Sequence, residues 1–442
     1  MSYGICEECG KENTYYRWCK ECNAKHFQQN FKNWTSGNND IDKFIQDTQL
    51  SATDREKVLE WIPYNRLYDI EYIAKGGFGK VYRAKWIDGY IESCDNINKN
   101  WYRPYPNKFV ALKSLNNSEN VTSEFINEIT MHCKTRKYET VSVIRVYGIT
   151  QDPETKNYMM VLPYADKGSL RAYLDKNYHE LTWGTKLIYL YFITLGLQSI
   201  HEKELIHRDL HIGNILCLKN DVMVTDMGLC KPADYNASEN PKNSIYGVLP
   251  YIAPEVLRGQ NYTKAADIYS FGIIMYEVIS GLPPYHDVSH DKNLTIKICQ
   301  GLRPRFSNIK VPQLIVNLVK RCLDANPINR PEAVEIGDIL YQWWSEEIHR
   351  SEFNNNETKL IKQIREAEKI NNSLPTSSIP LTSLSYKTHS EAVYTSRLLN
   401  FNNLPEPKNS DDYYNKQNDN IISEKFSESL QIDISQLKIN EI

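Results

Sequence analysis

Three polar residues near the middle of the chain have the types and spacing that phosphoryl transfer to a hydroxyl requires. Asp209 and Asn214 stand five positions apart within the apolar-flanked stretch 206–216, and Asp226 follows shortly after it. One carboxylate can receive the proton of an acceptor hydroxyl, while an amide and a second carboxylate can hold Mg²⁺ against nucleotide phosphates. This set of residues therefore indicates Mg²⁺-assisted phosphoryl transfer.

The sequence around these residues resembles the catalytic loop and metal-binding turn of the eukaryotic protein kinases. His207-Arg208-Asp209-Leu210 and Asn214 match the pattern H-R-D-L-x-x-x-N, and Asp226-Met227-Gly228 matches D-F-G with Met227 in place of the phenylalanine. Met227 is apolar and flexible enough to fill that position. The resemblance implies that Asp209 is the catalytic base and that Asn214 and Asp226 bind magnesium.

A glycine-rich turn stands between two strand-like segments, 68–73 and 81–86. Glycines let backbone amides approach phosphates closely, and the kinase pattern is matched here except at its first glycine, which is Ala74. A dinucleotide-binding turn is disfavoured, because a strand and not a helix follows the glycines. The resemblance implies that ATP contacts Ile73, Ala74, Lys75, Gly76, Gly77, Phe78, Gly79 and Val81.

The apolar segment 109–113 ends in Lys113 and is similar to the kinase strand whose lysine holds the α and β phosphates of ATP. The acidic partner of this lysine is expected on the next helix. Glu128 fits the register of the family best, and Glu124 is the alternative. The resemblance also implies that Ala111 lines the ATP pocket.

The buried segment 158–162 leads into the part of the chain that the resemblance assigns to adenine binding. Pro163 still offers a carbonyl and Ala165 an amide to the base, and Leu162 limits the pocket behind them. Proline at this position lacks only a donor that the site does not need.

Later features extend the resemblance over 65–344, with seven motifs in the right order. Residues 226–255 are similar to an activation segment that closes on Ala253-Pro254-Glu255. Asp267 and Arg330 match structural anchors of the family, and Arg330 is expected to pair with Glu255. The tyrosine-kinase-like serine/threonine kinases are the most similar branch.

The sequence indicates less clearly which amino acid, serine, threonine or tyrosine, accepts the phosphoryl group. His211 and Val248 stand where serine/threonine kinases typically carry a lysine and a threonine, and the loop types of tyrosine kinases are absent as well. Serine and threonine are expected first, with dual specificity as the alternative. Autophosphorylation is expected beside Arg208, because a phosphate gains charge-assisted hydrogen bonds there. The candidate sites are Tyr235, Ser238, Ser244 and Tyr246.

Four cysteines near the N-terminus have the spacing of a zinc site: Cys6, Cys9, Cys19 and Cys22. Two C-x2-C pairs suit tetrahedral Zn²⁺, and four thiolates leave no open position for water, so the zinc is expected to be structural. A redox pair is the alternative, but the βαβ context of such a motif is missing. Recognition of RNA or protein by the knuckle is a further alternative. Tyr15, Tyr16 and Trp18 supply aromatic rings for stacking, and Arg17 supplies a positive charge beside them.

The expected fold class is α+β, a two-lobed protein kinase fold with a small β-rich lobe, a larger helical lobe and a small N-terminal zinc knuckle. The predicted parts are the zinc knuckle (1–26), a helical extension packing on the small lobe (27–65), the kinase domain (66–350) and a largely disordered tail (351–442).

Hydrophobic periodicity places further elements within these parts. Residues 187–200 and 266–279 are predicted to be buried helices, and 40–46 and 53–61 short amphipathic helices, the last with Thr53 as its cap. Residues 88–107 are an insertion whose purpose the sequence does not indicate. In the tail, 358–370 is amphipathic, and a disordered tail without a specific role is the favoured prediction. The alternative is that the islands 393–407 and 430–439, which keep alternating apolar residues, dock on a partner or on the kinase itself.

Composition narrows the class of protein. The chain has 442 residues, 24% of them charged and 41% hydrophobic, with a net charge of −3. This balance makes nucleic acid or an anionic membrane an unlikely partner. The longest apolar run, 187–197, is too short to span a bilayer, and no signal-peptide pattern opens the chain, so a cytoplasmic protein is expected. Ten cysteines in so long a chain are no disulfide framework.

The leading functional hypothesis is a protein kinase that uses ATP and Mg²⁺ to phosphorylate protein substrates, most simply in signalling. A pseudokinase scaffold, which would bind nucleotide or partners without catalysis, is the alternative from another class, although all five polar catalytic positions are present. A nucleic-acid protein built on the zinc knuckle would need a basic face that this composition lacks.

Overall fold

The structure, a computed structural model, describes most of the chain. The described residues are 2–75, 79–95, 100–115, 123–136, 142–219, 221–233, 245–307, 309–350, 357–373, 386–411 and 413. The chain forms two compact units. The first comprises Met1–Tyr235 and Ala333–Asn354, and the second comprises Asn236–Glu332 and Asn355–Ile442.

The first unit contains strands throughout its segment before Tyr235. They are β1 (Glu60–Trp61), β2 (Leu67–Lys75), β3 (Gly79–Trp86), β4 (Ser93–Asp95), β5 (Asn100–Tyr102), β6 (Lys108–Leu115), β7 (Gly148–Gln151), β8 (Tyr158–Pro163), β9 (Leu205–Ile206), β10 (Ile215–Leu218), β11 (Asp221–Val224) and β12 (Lys231–Pro232). Six of them form one sheet in the order β1-β7-β8-β6-β3-β2, in which only β1 and β7 run parallel. The others pair as β4 with β5, β9 with β12, and β10 with β11.

Helices make up most of the remaining described structure. The first unit contains α1 (Lys20–Asn30), α2 (Asn39–Ser51), α3 (Ser123–Thr135), α4 (Leu170–Asn177), α5 (Trp183–His201) and α10 (Ala333–Ile348). The second unit contains α6 (Pro254–Leu257), α7 (Lys264–Ser280), α8 (Lys292–Cys299), α9 (Gln313–Cys322) and α11 (Lys359–Ser373), together with strands β13 (Ile245–Gly247) and β14 (Arg397–Leu399). Helices α5 and α7 confirm the two long helices that periodicity predicts.

Both faces of the sheet carry buried residues, and successive side chains of a strand point to opposite faces. On β6, Ala111 packs in one apolar cluster while Val110 and Leu112 pack in another. On β8, Met160 and Val161 divide in the same way. The first cluster also contains residues of α2 and α3, so these helices cover one face of the sheet.

The segment 53–61 is not the helix that its amphipathic pattern predicts. Arg55–Lys57 form a single 3-10 turn, which Asp54, and not Thr53, caps by accepting from the Glu56 amide. The chain then extends into β1, which pairs with β7, and Leu59 just before this strand is fully buried in the apolar cluster with α2 and α3. Pairing with the sheet outweighs the local helical pattern here. The other predicted helix forms as α2 and is longer than 40–46.

The insertion 88–107 packs on the N-terminal cysteine module. Its hairpin of β4 and β5 carries Trp101, which stacks on Phe27 of α1 at 4.2 Å between ring centroids and on Trp18 at 6.4 Å. Ile91 joins the same apolar cluster. A group of aromatic residues that is scattered in the sequence therefore forms one small core.

Two described stretches of the tail, 357–373 and 386–411, have defined structure. Helix α11 buries an apolar stripe at helical spacing, Leu360, Ile361 and Ile364. The island 393–407 includes β14, which pairs with β13. Their apolar residues have surfaces to pack on within the second unit, and this burial offsets the entropy of ordering the chain. The second island, 430–439, lies outside the described residues.

Candidate active site

Lys113 is the centre of a buried group of charges in the first unit. Its Nζ lies 2.7 Å from Glu128 Oε1 and 3.0 Å from Asp226 Oδ1. Strand β6 presents the lysine, with Val81 of β3 opposite it on one side and Met160 of β8 on the other. Helix α3 presents Glu128, which is only 2% exposed. The structure therefore joins three residues that lie up to 113 positions apart in the sequence.

Burial and pairing act in opposite directions on the pKa values of this group. Burial lowers the pKa of Lys113, but the carboxylates of Asp226 and Glu128 outweigh it and raise the pKa above its usual value. Burial would raise the pKa of Asp226, yet the Lys113 ammonium lowers it to about 2. The pKa of Glu128 is raised, because its burial outweighs Lys113. Lys113 and Asp226 are thus firmly ionised at neutral pH.

The loop that carries Asp209 and Asn214 is tied together by its own polar groups. Asn214 Nδ2 donates to the Asp209 carbonyl at 3.0 Å, and the Asn214 carbonyl accepts from the Thr225 amide at 3.0 Å. His207 is fully buried, with Nε2 3.1 Å from the Thr225 carbonyl and Nδ1 3.3 Å from the Asp209 amide. These contacts set Asp209 and Asn214 in a fixed relation to the strand that leads to Asp226.

Two residues of this region adopt left-handed backbone conformations. Arg208 has a φ of 70° and Asp226 a φ of 64°. Such conformations cost free energy in a residue other than glycine and persist where the surrounding contacts enforce them. They turn the chain sharply beside Asp209 and before Gly228, whose amide points to Asp226 Oδ1 at 3.5 Å.

His211, two positions after Asp209, is buried and neutral. Burial lowers its pKa to about 4, and its Nδ1 accepts from the Gly213 amide at 3.1 Å. Its Nε2 lies 3.9 Å from Asp209 Oδ2. The position where serine/threonine kinases typically carry a lysine therefore contributes no positive charge at neutral pH.

Met227 occupies an apolar interior position, as expected for a residue that replaces phenylalanine. It is 1% exposed, and its carbonyl accepts from the Cys230 amide at 3.0 Å.

The residues expected to contact ATP are only partly described. Gly76, Gly77 and Phe78 lie outside the described residues, while Ile73, Ala74 and Lys75 end β2 and Gly79 begins β3. In the strand register, Ala74 pairs with Val81 and Ala111 with Leu162. After Pro163 the chain leaves β8, and the Ala165 carbonyl accepts from the Gly168 amide at 3.1 Å.

Two features of the site were not predicted from the sequence: the hydrogen-bond partners of His207, and the residues that hold the end of α3. The motif contains His207, but its partners are backbone groups, which carry no sequence signal. Directly after α3, Arg136 Nη2 lies 2.8 Å from Oε2 of Glu56, which belongs to the turn Arg55–Lys57. Burial would raise the pKa of Glu56, but Arg145 and Arg136 lower it. These residues belong to three separate segments, so only the folded chain brings them together.

The four N-terminal cysteines form one cluster in which all four Sγ atoms lie within 4.8 Å of one another. Cys6 and Cys22 are 3.8 Å apart, and Cys9 and Cys19 are 3.7 Å apart. A tetrahedral ion with Zn–S bonds of about 2.3 Å requires sulfur separations of about 3.8 Å. The spacing is far longer than a disulfide bond, and the cluster could hold a zinc ion.

The local backbone supports this site on both sides. Gly10 has a φ of 71°, which favours glycine, and its amide donates to the Cys6 carbonyl at 2.9 Å. Helix α1 begins directly after Cys19, and Cys22 lies in its first turn. Burial raises the pKa values of Cys19 and Cys22, so a bound cation is needed to hold them as thiolates.

The second unit contains the predicted pair of Glu255 and Arg330. Arg330 Nη1 and Nη2 donate to the two oxygens of Glu255 at 2.6 and 2.8 Å, and Nη1 also donates to the Ala265 carbonyl at 2.9 Å. Asp267 is 1% exposed. Tyr246 lies in β13, whereas Tyr235, Ser238 and Ser244 lie outside the described residues.

A search of the described helices finds none with the length and apolar character that crossing a membrane demands.

Comparisons with known proteins agree with the geometry. The family described as protein tyrosine and serine/threonine kinase matches residues 68–340, more than half of the chain. A probable serine/threonine-protein kinase of Dictyostelium discoideum is 30% identical over 297 residues, which span 63% of this chain and 15% of that protein.

Two further relatives come from animals. The tyrosine-protein kinase SPK-1 of Girardia tigrina is 27% identical over 268 residues, which span 59% of this chain and 49% of that protein. The ankyrin repeat and protein kinase domain-containing protein 1 of Mus musculus is 29% identical over 273 residues, which span 59% of this chain and 33% of that protein. The chain thus spans less than half the length of each of these relatives.

Proposed function

The chain belongs to the protein tyrosine and serine/threonine kinase family, and on this premise we propose that it transfers the γ-phosphoryl group of ATP to hydroxyl groups of proteins. The predicted family and the predicted α+β fold, with a β-sheet lobe and a helical lobe, are confirmed. Proteins of this family use ATP and Mg²⁺. Membership of the tyrosine-kinase-like branch stays a prediction.

The observation that carries the proposal is the pair of contacts made by Lys113. A lysine that bonds Glu128 and Asp226 at once is held in one position, and its charge is fully developed. The ammonium can therefore meet the phosphates of ATP without further rearrangement of its strand. Electrostatic groups that are fixed in advance are the main means of catalysing phosphoryl transfer.

Each polar residue has a role that its surroundings support. The Asp209 carboxylate orients the acceptor hydroxyl and receives its proton. The side chains of Asn214 and Asp226 would hold Mg²⁺, which offsets the charge that develops on the phosphates. Glu128 keeps Lys113 in place, and Arg208 would contact a phosphate on the activation segment.

The adenine pocket is part of the same proposal. Ala111 and Leu162 face each other across two neighbouring strands, and Pro163 and Ala165 follow directly. The backbone groups of these last two residues would bind the base, as the family pattern implies. The glycine turn from Ile73 to Val81 would cover the phosphates.

Serine and threonine are proposed as the principal acceptors, with tyrosine as the alternative. The relatives include proteins named as serine/threonine kinases and one named as a tyrosine kinase. The neutral His211 stands in place of the lysine that is typical of serine/threonine kinases, so this position does not identify the acceptor hydroxyl. Tyr246 and the nearby Tyr235, Ser238 and Ser244 are proposed as sites of autophosphorylation.

Zinc bound by the four cysteines is proposed to stabilise the fold and to take no part in catalysis. The cluster leaves no ligand position for water, and its neighbours are the aromatic core around Trp101. A cytoplasmic location fits ten cysteines that form no disulfide bond.

A phosphorylation assay with γ-labelled ATP tests the proposal. The full chain should label itself or an added protein, and mass spectrometry should locate the phosphate on serine or threonine. Thermal stabilisation by Mg²⁺-ATP should be measured in parallel. Stabilisation without transfer to any protein tested would favour the pseudokinase alternative, and phosphate on tyrosine alone would reverse the acceptor ranking.

A further inference from the structure

Residues 386–411 of the tail lie against the remainder of the second unit along their length. We call this segment the strap. Near its start, the His389 amide donates to the His286 carbonyl at 2.8 Å. Near its end, the Lys408 amide donates to the Cys299 carbonyl at 2.8 Å. The strap is therefore held by backbone hydrogen bonds at both ends.

The middle of the strap is organised around His290, which is 3% exposed. The Nδ1 atom of His290 lies 3.0 Å from the Val393 carbonyl oxygen and 3.1 Å from the Val393 amide. Arg397 Nη2 donates to the His290 carbonyl at 2.7 Å, and Tyr394 donates its hydroxyl to the Pro284 carbonyl at 2.9 Å. The buried side chain of His290, from another part of the same unit, thus contacts the strap directly.

The C-terminal part of the strap approaches the chain so closely that a glycine is required. Gly301 has a φ of 112°, and a Cβ atom there would stand 2.4 Å from the Asn409 carbonyl oxygen. Asn409 Oδ1 accepts from the Ala325 amide at 2.7 Å, and Glu406 forms an ion pair with Arg258. These contacts indicate a built docking site for the strap.

At its centre, the strap pairs with β13 as strand β14. The strands are antiparallel, with Ile245 opposite Leu399, Tyr246 opposite Leu398 and Gly247 opposite Arg397. Leu399 is 4% exposed, whereas its neighbour Leu398 is 65% exposed. One side chain of β14 is therefore an anchor and the next one faces solvent.

Strand β13 begins nineteen residues after Asp226 and lies in the segment that closes at Glu255. The edge of a strand presents unpaired amides and carbonyls, and an extended polypeptide can add to it by backbone hydrogen bonding. Such an edge accepts many sequences, because most of the bonds involve the backbone. Among the described residues, its partner in this chain is the strap.

We propose that this edge of β13 is a docking site for an extended segment of a protein substrate, and that the strap occupies it in cis as a competitor. The substrate part of this inference rests on the proposed kinase function. A tethered segment acts at an effective concentration in the millimolar range, so a free polypeptide binds only when the strap is released. Release of the strap then raises the affinity for protein substrates and leaves ATP binding unchanged.

Matched full-length variants test the inference. Leu399→Asp places a charge at the buried anchor and should release the strap, whereas Leu398→Asp changes the exposed neighbour and should not. Glu406→Arg is a second way to weaken the strap, and adding Arg258→Glu should restore the ion pair and reverse the effect.

Two measurements read the result. Hydrogen exchange of 245–247 should be faster in Leu399→Asp and Glu406→Arg than in the wild type. A fluorescent peptide copying residues 392–403 should bind these two variants about tenfold more tightly, or better, than it binds the wild type, Leu398→Asp or the double variant. The KM for a protein substrate should fall in parallel, with the KM for ATP unchanged.

The outcomes separate the two proposals. Faster exchange with no gain in peptide binding would overturn the docking site, and unchanged exchange in both weakened variants would show that the strap does not cover β13 in solution. Tighter peptide binding without phosphoryl transfer in any variant would support the docking site while contradicting the kinase function.

Discussion

Asp209 is positioned by its own loop and by His207. The Asn214 side chain donates to its carbonyl, and His207 lies beside its amide, so the backbone of Asp209 is held independently of its carboxylate. The carboxylate of Asp209 lies 3.9 Å from His211 Nε2, while Lys113 and Asp226 form a separate charged pair. This separation allows catalysis and nucleotide binding to be tested apart.

The first prediction concerns Asp209→Asn. An amide has the shape of the carboxylate but does not accept the proton, so phosphoryl transfer should fall by about 10² to 10⁴, or roughly 3 to 5 kcal/mol of transition-state stabilisation. Stabilisation by Mg²⁺-ATP should change little. Asp221→Asn, at an exposed position of β11, is the control. Full activity in Asp209→Asn would remove this residue from the mechanism.

The second prediction concerns Lys186, a buried residue of α5. Burial lowers its pKa to about 7, and its Nζ donates to the Tyr178 hydroxyl at 3.0 Å. The unfolded chain keeps an ordinary lysine pKa of about 10.4, so between these values the unfolded state binds more protons and stability rises with pH. The cost of the buried charge, on the order of a few kcal/mol, is greatest below pH 7.

Lys186→Met should therefore be most favourable, relative to the wild type, at pH 6, and should lose that advantage as the pH rises to 9.5. Urea unfolding of both proteins across this range measures the difference. Lys176→Met, at an exposed position of α4, should show no such trend. A difference between Lys186→Met and the wild type that does not vary with pH would mean that Lys186 keeps an ordinary pKa in the folded chain.

At the scale of elements, α3 depends on a segment that lies outside the match to the family. Ile41 and Ile45 of α2 and Leu59 pack in one cluster with Phe125 and Ile129 of α3. The ion pair of Glu56 with Arg136 adds a polar contact at the C-terminal end of the helix. The N-terminal extension thus supports the helix that carries Glu128.

The third prediction tests this support with Ile45→Ala. Ile45 is fully buried, so the variant should lose about 2 to 5 kcal/mol in free energy of unfolding. Lys43→Ala, at an exposed position of the same helix, should stay within about 0.5 kcal/mol of the wild type. The Lys113 to Glu128 contact should also loosen, which would appear as faster hydrogen exchange in α3. Equal stability of the two variants would contradict the packing.

At the scale of the whole molecule, the chain adds flanking segments to a kinase domain, and each packs on a neighbouring part of its own unit. In the first unit, the cysteine module contacts the insertion through Trp18, Phe27 and Trp101. In the second unit, Gln363 of α11 accepts from the Leu314 amide of α9, and Lys408 of the strap donates to the Cys299 carbonyl of α8. In the described residues, these flanking segments therefore share cores with neighbouring parts of their own unit.

The fourth prediction concerns zinc. Purified protein should contain one zinc per chain, and the double variant Cys6→Ser, Cys9→Ser should contain none. Because four thiolates can supply about 10 to 16 kcal/mol of apparent binding energy, chelation should unfold the module and change the fluorescence of Trp18 and Trp101. Trp101→Phe should reduce that change while leaving the zinc content intact. A full equivalent of zinc in the double cysteine variant would exclude this site.

Residue types at fixed spacing were enough to predict which charged residues meet. Lys113, Glu128 and Asp226 meet as their motifs imply, and so do Glu255 and Arg330, because each motif fixes its local backbone and the fold joins the motifs. Apolar patterns also predicted strands β2, β3, β6 and β8, and apolar residues at helical spacing predicted α5 and α7. These features depend on interactions that are short in sequence or on a family pattern.

Only the tertiary structure decided the segments whose partners are distant in the chain. Residues 53–61 form a turn and a strand because the strand pairs with β7. The insertion 88–107 packs on the cysteine module because Trp101 stacks on Phe27. The strap is defined in the same way, by Leu399 opposite Ile245. A local pattern cannot specify such a partner, because the free energy of burial depends on which surface the rest of the fold presents.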